Sequence, residues 1–374
     1  MVGTGFRIGK IFGIPIQLHG SWFLLFALIT FSWVSYFTSE HPQWATSQHW
    51  AAGILSSLLF FGSVLFHELG HSVIALRYKI PVISITLFVF GGLARIGREA
   101  RTALQEFNIA VAGPLASFLL AGGFYLLARI STDGNLLQAV AIWLAEINFA
   151  LGAFNLIPGF PLDGGRVLRA ILGFFVDYQQ ATQAAVTVGR ILAIGLGLLA
   201  VFTGQISLAL IAMFIFFVGG QEGQAVAARG ILRRARVAQA LTNNAVALSP
   251  EATVGQVASL MMSSRQSDFA VLDPASGQLL GVTTSHNVAR AMEQGRWRSG
   301  VIDIMQQARN VPTIALNASL DELQEKLGQT SSRVAAVYDG LYFRGLISLE
   351  DVYRVFQFLS QSGSSRRRIG WQAG

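Results

Sequence analysis

His67-Glu68-Leu69-Gly70-His71 lies inside a strongly apolar run, and that placement narrows the fold of this chain further than its composition does. On a helix the two histidines stand one turn apart on one face, so both imidazoles can reach one metal ion. Glu68 lies beside them, placed to take a proton from a metal-activated water. A soluble enzyme would carry these residues on an amphipathic helix. Here Leu58-Leu59-Phe60-Phe61 precede them and Val73-Ile74-Ala75-Leu76 follow. Ionisable side chains are costly in a membrane span and by default point to function there. The expectation is a zinc hydrolase with its site inside the bilayer.

The apolar character is uneven. The 374 residues are 13% charged, about half the ~25% of soluble domains. Long apolar runs crowd residues 1–220, while 230–374 read as an ordinary soluble protein. Six spans are expected, at about 19–38, 53–76, 109–130, 136–157, 185–203 and 206–220, each near the ~20 residues needed to cross. The last two share the tight connection Thr203-Gly204-Gln205, which leaves a re-entrant hairpin open as a second reading. The first run follows Arg7 and Lys10 without a small-residue cleavage site, so it reads as an anchor. Residues 81–97, with Pro81, many β-branched residues and Gly91-Gly92, read as a β-hairpin at the membrane edge. Such an edge could pair with an extended substrate. A plain connecting loop is equally open.

Basic residues set the orientation. Arg7 and Lys10, then Arg77 to Arg101, then Arg166, Arg169 and Arg190, then Arg229 to Arg236 all fall on one side of the six spans. The positive-inside rule makes that side, and both termini, cytoplasmic. His71 then lies roughly 9 Å along the helix from Arg77, at 1.5 Å per residue. The site is expected below the cytoplasmic surface and short of the midplane. The net charge of +7 belongs to these membrane-edge residues. No nucleic-acid pattern is present, and Arg366-Arg367-Arg368 reads as a solvated tail or an anionic-lipid contact.

With no cysteine, any metal must be held by His, Asp or Glu. Among the other histidines, His41 and His49 fall on the far side, His286 lies in the soluble half, and His19 remains open as a third ligand. A second candidate ends span four, in Asn155-Leu156-Ile157-Pro158-Gly159-Phe160-Pro161-Leu162-Asp163-Gly164-Gly165. The prolines and glycines break the helix at the depth of His71, and a broken helix lets a carboxylate turn inward. Asp163 is the acid at that depth. A simple turn residue is its local alternative, outweighed by the match in depth to His67 and His71. Glu146 and Asn148, mid-span, are expected to face the bundle interior.

Together these motifs resemble the site-2 protease family of intramembrane zinc metalloproteases. The likeness rests on F-H-E-L-G-H in the second span, N-x-x-P-x-x-P-L-D-G-G ending the fourth, and Ala112-Gly113-Pro114-Leu115-Ala116-Ser117 in the third. It covers about residues 1–220. It implies one catalytic zinc on His67, His71 and Asp163, with Glu68 as general base. It also implies Asn155 near the site, holding substrate backbone or the developing oxyanion. Gly113 and Ser117 match the family's small-residue motif, and close helix packing is the favoured reading of them. The implied substrates are transmembrane proteins, unwound locally before cleavage.

The soluble half holds a repeat. Phe269–Asp273 with Leu279–Val288, and Val334–Asp339 with Phe343–Val352, each read as strand, turn, strand, helix start. They resemble a tandem CBS pair over 237–359. In that family, Asp351 with Ser348 would contact an adenine nucleotide, and in the first repeat Asn287, with Thr284, takes the matching place, which fits a nucleotide less well. Dimerisation without a nucleotide is the other role such pairs serve.

The expected fold is thus a polytopic α-helical membrane protein with a membrane-edge β-hairpin, plus a soluble α/β CBS pair. The expected domains are 1–225 for the protease, 226–236 for a linker, 237–298 and 299–359 for the repeats, and 360–374 for a basic, disordered tail. The expected function is intramembrane proteolysis near the cytoplasmic face, in the cell membrane and regulated by the CBS pair. A CBS-regulated transporter or channel with a structural metal is the alternative.

Overall fold

The computed structural model describes residues 5–369 apart from 90, 242–245, 265 and 331. The chain divides into two compact units, 1–224 and 225–374.

The first unit opens with a hairpin, β1 (Phe6–Ile11) and β2 (Ile14–Leu18). Its turn uses Phe12 and Gly13, both at positive φ, as a two-residue hairpin connection demands. Then come α1 (Gly20–Glu40), α2 (Thr46–Arg77), β3 (Val82–Phe88), β4 (Gly91–Ile96), α3 (Ala103–Ile130), α4 (Leu136–Asn155), α5 (Asp163–Leu172), α6 (Tyr178–Thr203) and α7 (Ile206–Arg234). Of these, α1, α2, α3, α4, α6 and α7 are long and apolar enough to cross a membrane. The last two are separate helices of 26 and 29 residues joined at Gly204, in the left-handed conformation, so the re-entrant hairpin is set aside.

Residues 81–97 form the expected hairpin, but it is not alone. β1, β2, β3 and β4 make one sheet in that order, with β2 and β3 parallel and the outer pairs antiparallel. The N-terminal half of this sheet was not expected, although buried Ile14 and Ile16 alternate with half-buried Pro15 and Gln17 in the manner of a strand. Ile14, Ile16 and Ile85 pack on Leu69 of α2, which seats the sheet against the helix of the His-Glu-His motif. At the other end of the bundle Trp33, Phe37, Ala52, Val140 and Leu144 join α1, α2 and α4.

Asn148 is buried as expected and donates to Ser63 Oγ at 3.1 Å. Glu146 is exposed, against expectation. Two residues span about 200° of a helix, so the two side chains cannot share one face.

The second unit holds α8 (Val237–Ala240), β5 (Ala247–Leu248), α9 (Val254–Ser263), β6 (Asp268–Leu272), β7 (Leu279–Thr284), α10 (Ser285–Glu293), β8 (Gln306–Gln307), β9 (Thr313–Ala315), α11 (Leu320–Gln329), β10 (Val334–Asp339), β11 (Tyr342–Ser348) and α12 (Leu349–Ile369). The strand–helix–strand–strand–helix order therefore occurs twice. The sheets run β5-β6-β7-β8 and β11-β10-β9. α12 reaches Ile369, into the segment expected as a tail, and 370–374 lie outside the described residues. Phe269 is fully buried against Val254, Val257 and Val288. Phe269→Ala is expected to destabilise this unit by about 3–5 kcal/mol, read as lost amide-exchange protection across 246–293 in the full-length protein.

Candidate metal centre

Four residues of one turn of α2 reach different neighbours. His67 and His71 face α3, Glu68 meets β4, and Leu69 enters the core of the sheet. α3 runs past α2 with Ile109, Gly113 and Ser117 at four-residue spacing, and so on one stripe. His71 Nδ1 donates to the Ile109 carbonyl at 2.6 Å, and His67 Nδ1 lies 2.9 Å from Ser117 Oγ. Both rings therefore spend Nδ1 on the protein and turn Nε2 to the same point.

Asp163 arrives at that point from α5, where it is the first residue. Its Oδ2 lies 3.0 Å from His67 Nε2 and 3.1 Å from His71 Nε2, and the two Nε2 atoms are 3.2 Å apart. The expected trio is thus brought together, and it is the group found able to hold a metal among the described residues. His19, the other candidate ligand, instead caps α1 by accepting from the Ser21 backbone N–H at 3.2 Å.

The donor set fits a small cation. The Ile109 carbonyl only accepts, so Nδ1 of His71 carries a proton, and in the neutral ring Nε2 presents a lone pair. That lone pair faces a carboxylate oxygen and another imidazole nitrogen. A tetrahedral zinc with bonds of about 2.0–2.1 Å would space its ligands about 3.3 Å apart, close to the triangle observed.

Space at the site is kept by glycine. A Cβ on Gly113 would lie 2.2 Å from His71 Nε2 and 2.7 Å from His67 Nε2. The favoured reading of Gly113 and Ser117 as packing residues therefore misses their part here. The readable signal is the 109–113–117 stripe opposite 67 and 71.

Glu68 is half-buried, and its Oε2 accepts from the Ala94 N–H of β4 at 3.2 Å. Gly92 passes so close that a Cβ there would sit 2.5 Å from Glu68 Cγ. β4 is the terminal strand of its sheet, so the carboxylate lies beside a strand edge. Asn155 ends α4, and its amide donates to Leu151 O at 3.0 Å within its own helix rather than to the trio.

The sequence profile of peptidase family M50 matches residues 55–134 and 129–196, and that of the CBS domain matches 237–294. A Synechocystis protein named as a zinc metalloprotease is 32% identical over 342 residues, covering 88% of this chain and 89% of its own length. The chain belongs to peptidase family M50. A zinc metalloprotease of Methanocaldococcus jannaschii is 31% identical, over 94% of this chain and 96% of its own. A solved site-2 protease from the same organism is 34% identical, with a TM-score of 0.42, and covers 59% of this chain and 95% of its own. This family member is an integral membrane peptidase with a C-terminal CBS pair.

In the CBS unit the three candidate nucleotide residues act as helix caps. Thr284 caps α10 by accepting from the Asn287 N–H. Ser348 and Asp351 bond reciprocally at the start of α12, and Arg354 lies 3.5 Å from Asp351. A cavity of ≈ 360 Å³ lies elsewhere in this unit, beside Arg236, Asn317, Tyr338 and Asp339.

Ser117→Ala is expected to weaken zinc binding about 10–100-fold, the usual loss when a ligand's outer partner is removed. Gly113→Ala is expected to weaken it further. Competition with a coloured chelator measures both.

Proposed function

We propose that this chain is an intramembrane zinc endopeptidase that hydrolyses peptide bonds of transmembrane substrates near the cytoplasmic face. The observation carrying this reading is the meeting of three metal-ligand atoms beside a glutamate that touches a sheet edge. His67, His71 and Asp163 would hold the ion. When bound, zinc supplies Lewis acidity and lowers the pKa of a water at the site. Glu68 is the proton carrier. It takes a proton from water as the water oxygen joins the substrate carbonyl carbon. As the C–N bond breaks, it returns that proton to the leaving nitrogen.

The β4 edge is the proposed substrate track. A transmembrane helix hides its carbonyls in internal hydrogen bonds, so it must open before attack. An opened segment laid along β4 would regain backbone bonds and pass beside Glu68. Asn155 is the proposed contact for the substrate backbone or the oxyanion. The basic loops support cytoplasmic termini and a site reached from that side, with the cell membrane as host and lipid around the spans.

The proposed division assigns 1–225 to the protease, 226–236 to a linker, 237–298 and 299–359 to the CBS repeats, and 360–374 to a tail. The CBS pair is the proposed regulatory element, through adenine-nucleotide contacts at Thr284, Ser348 and Asp351 or through homodimerisation. AMP or ATP titrated into the full-length protein distinguishes these. Protection of β10, β11 and α12 from exchange, weakened in Asp351→Asn, supports nucleotide control. Unchanged exchange leaves dimerisation.

Glu68→Gln is expected to keep near-stoichiometric zinc and lose about 10²–10⁴-fold in cleavage rate, the usual worth of a general base. His67→Ala is expected to lose both. Zinc content and cleavage of a transmembrane reporter peptide, measured on the same preparations, check this. Full cleavage by Glu68→Gln would sink the proposal.

A further inference from the structure

α5 carries a second charged side chain into the bundle. Arg169, six residues after Asp163, is 6% exposed. Its Nε donates to Glu106 Oε1 at 2.7 Å, and Nη2 donates to the same oxygen. Nη1 donates to Glu222 Oε1 at 3.0 Å. The guanidinium also lies over two aromatic rings, 4.8 Å from the centre of the Phe160 ring and 4.7 Å from that of Tyr178.

These four partners lie on four different segments. Glu106 is in the first turn of α3, Tyr178 begins α6, Glu222 is on α7, and Phe160 is in the loop that leads into Asp163. Two of them adjoin the metal centre in sequence. Glu106 stands three residues before Ile109, whose carbonyl accepts the hydrogen bond from His71 Nδ1. Phe160 stands three residues before Asp163 itself. One guanidinium thus ties the segment that delivers the third ligand to the segment that orients the second.

α5 needs such a tie. It has only ten residues, too few for a helix to be stable by itself. Asp163 must nonetheless be held at 3.0–3.1 Å from two imidazoles. A buried ion pair is a poor source of net stability, because desolvation offsets most of the attraction. Its directional fork makes it a good source of position.

We infer that Arg169 is a positioning residue of the metal centre: its bonds to Glu106 and Glu222 fix α5 where Asp163 reaches both histidines. This rests on the metal-site reading above, and the purely structural alternative is an ion cluster that holds the fold without bearing on metal affinity. The test uses full-length, detergent-purified protein. Arg169→Lys keeps the charge and loses the planar fork. Glu106→Gln keeps the shape and loses the charge. Zinc affinity is measured by chelator competition, ligand geometry by the visible absorption of the cobalt(II)-loaded protein, and apo-protein stability by thermal melting.

Both variants are expected to bind zinc on the order of 10–100-fold more weakly and to show an altered cobalt spectrum. Glu222→Gln is expected to have a smaller effect, since Glu106 still takes two of the donors. Wild-type zinc affinity and an unchanged cobalt spectrum in both Arg169→Lys and Glu106→Gln, with only the apo melting point lowered, would overturn the inference. If Arg169→Lys does not fold, Glu106→Gln decides by the same two readouts. A wild-type protein that takes up no zinc, even after reloading, would overturn the metal-site reading and this inference with it.

Discussion

Three metal-ligand atoms converge inside an apolar bundle, and the surrounding structure is arranged about the point they share. With Nδ1 of His71 committed to a carbonyl, its Nε2 lone pair meets and repels the Asp163 carboxylate oxygen at 3.1 Å, and His67 Nε2 lies 3.0–3.2 Å from both atoms. Low surrounding polarity leaves such repulsion poorly screened. A cation at the centre converts it into attraction. The Ile109 carbonyl, the Ser117 hydroxyl and the missing side chain of Gly113 all have their meaning relative to that point. Of the turn of α2 that carries the ligands, Phe66 is the residue left with a large exposed side chain, at 44%.

The sheet answers a second constraint. Unpaired backbone groups are costly away from water, yet the proposed chemistry requires an open strand edge beside Glu68. The structure pairs β4 with β3 on one side and gives the Ala94 N–H on the other to the carboxylate. Gly92 lets strand and glutamate approach more closely than a Cβ would permit. The edge is thus covered in part by the group expected to do proton transfer. A peptide entering along β4 would meet that group directly.

Much of this was legible in the chain. The His67–His71 spacing gave one face of one helix, and the helix-breaking run before Asp163 gave a carboxylate at matching depth. Both depend on local rules that hold in any context. What escaped depends on partners remote in sequence. Phe6–Leu18 alternates like a strand but makes sense as one only beside Val82–Phe88. Ser117 reads as a packing residue until its hydroxyl is seen 2.9 Å from an imidazole fifty residues away. Glu146 was misplaced for a simpler reason, since burial of Asn148 on the same helix already turns Glu146 outward. Arg169 was counted among the charges that orient the spans, although its bonding is internal.

The third ligand comes from a separate short helix, and that makes assembly of the site a tertiary event. His67 and Asp163 are 96 residues apart in sequence, so an ion joining them would close a long loop, and its binding energy would favour the folded arrangement. Without the ion, the His71 lone pair and the Asp163 carboxylate oppose the approach of α5 to α2. The Arg169 cluster acts in the opposite direction, because moving α5 would strip a buried guanidinium of carboxylates on α3 and α7 and of the Tyr178 ring on α6. Leaving that charge unpaired costs more than the pair contributes when intact. An asymmetry of this kind suits a preorganised site: it adds little to global stability, yet resists the one displacement that would pull Asp163 from the two histidines.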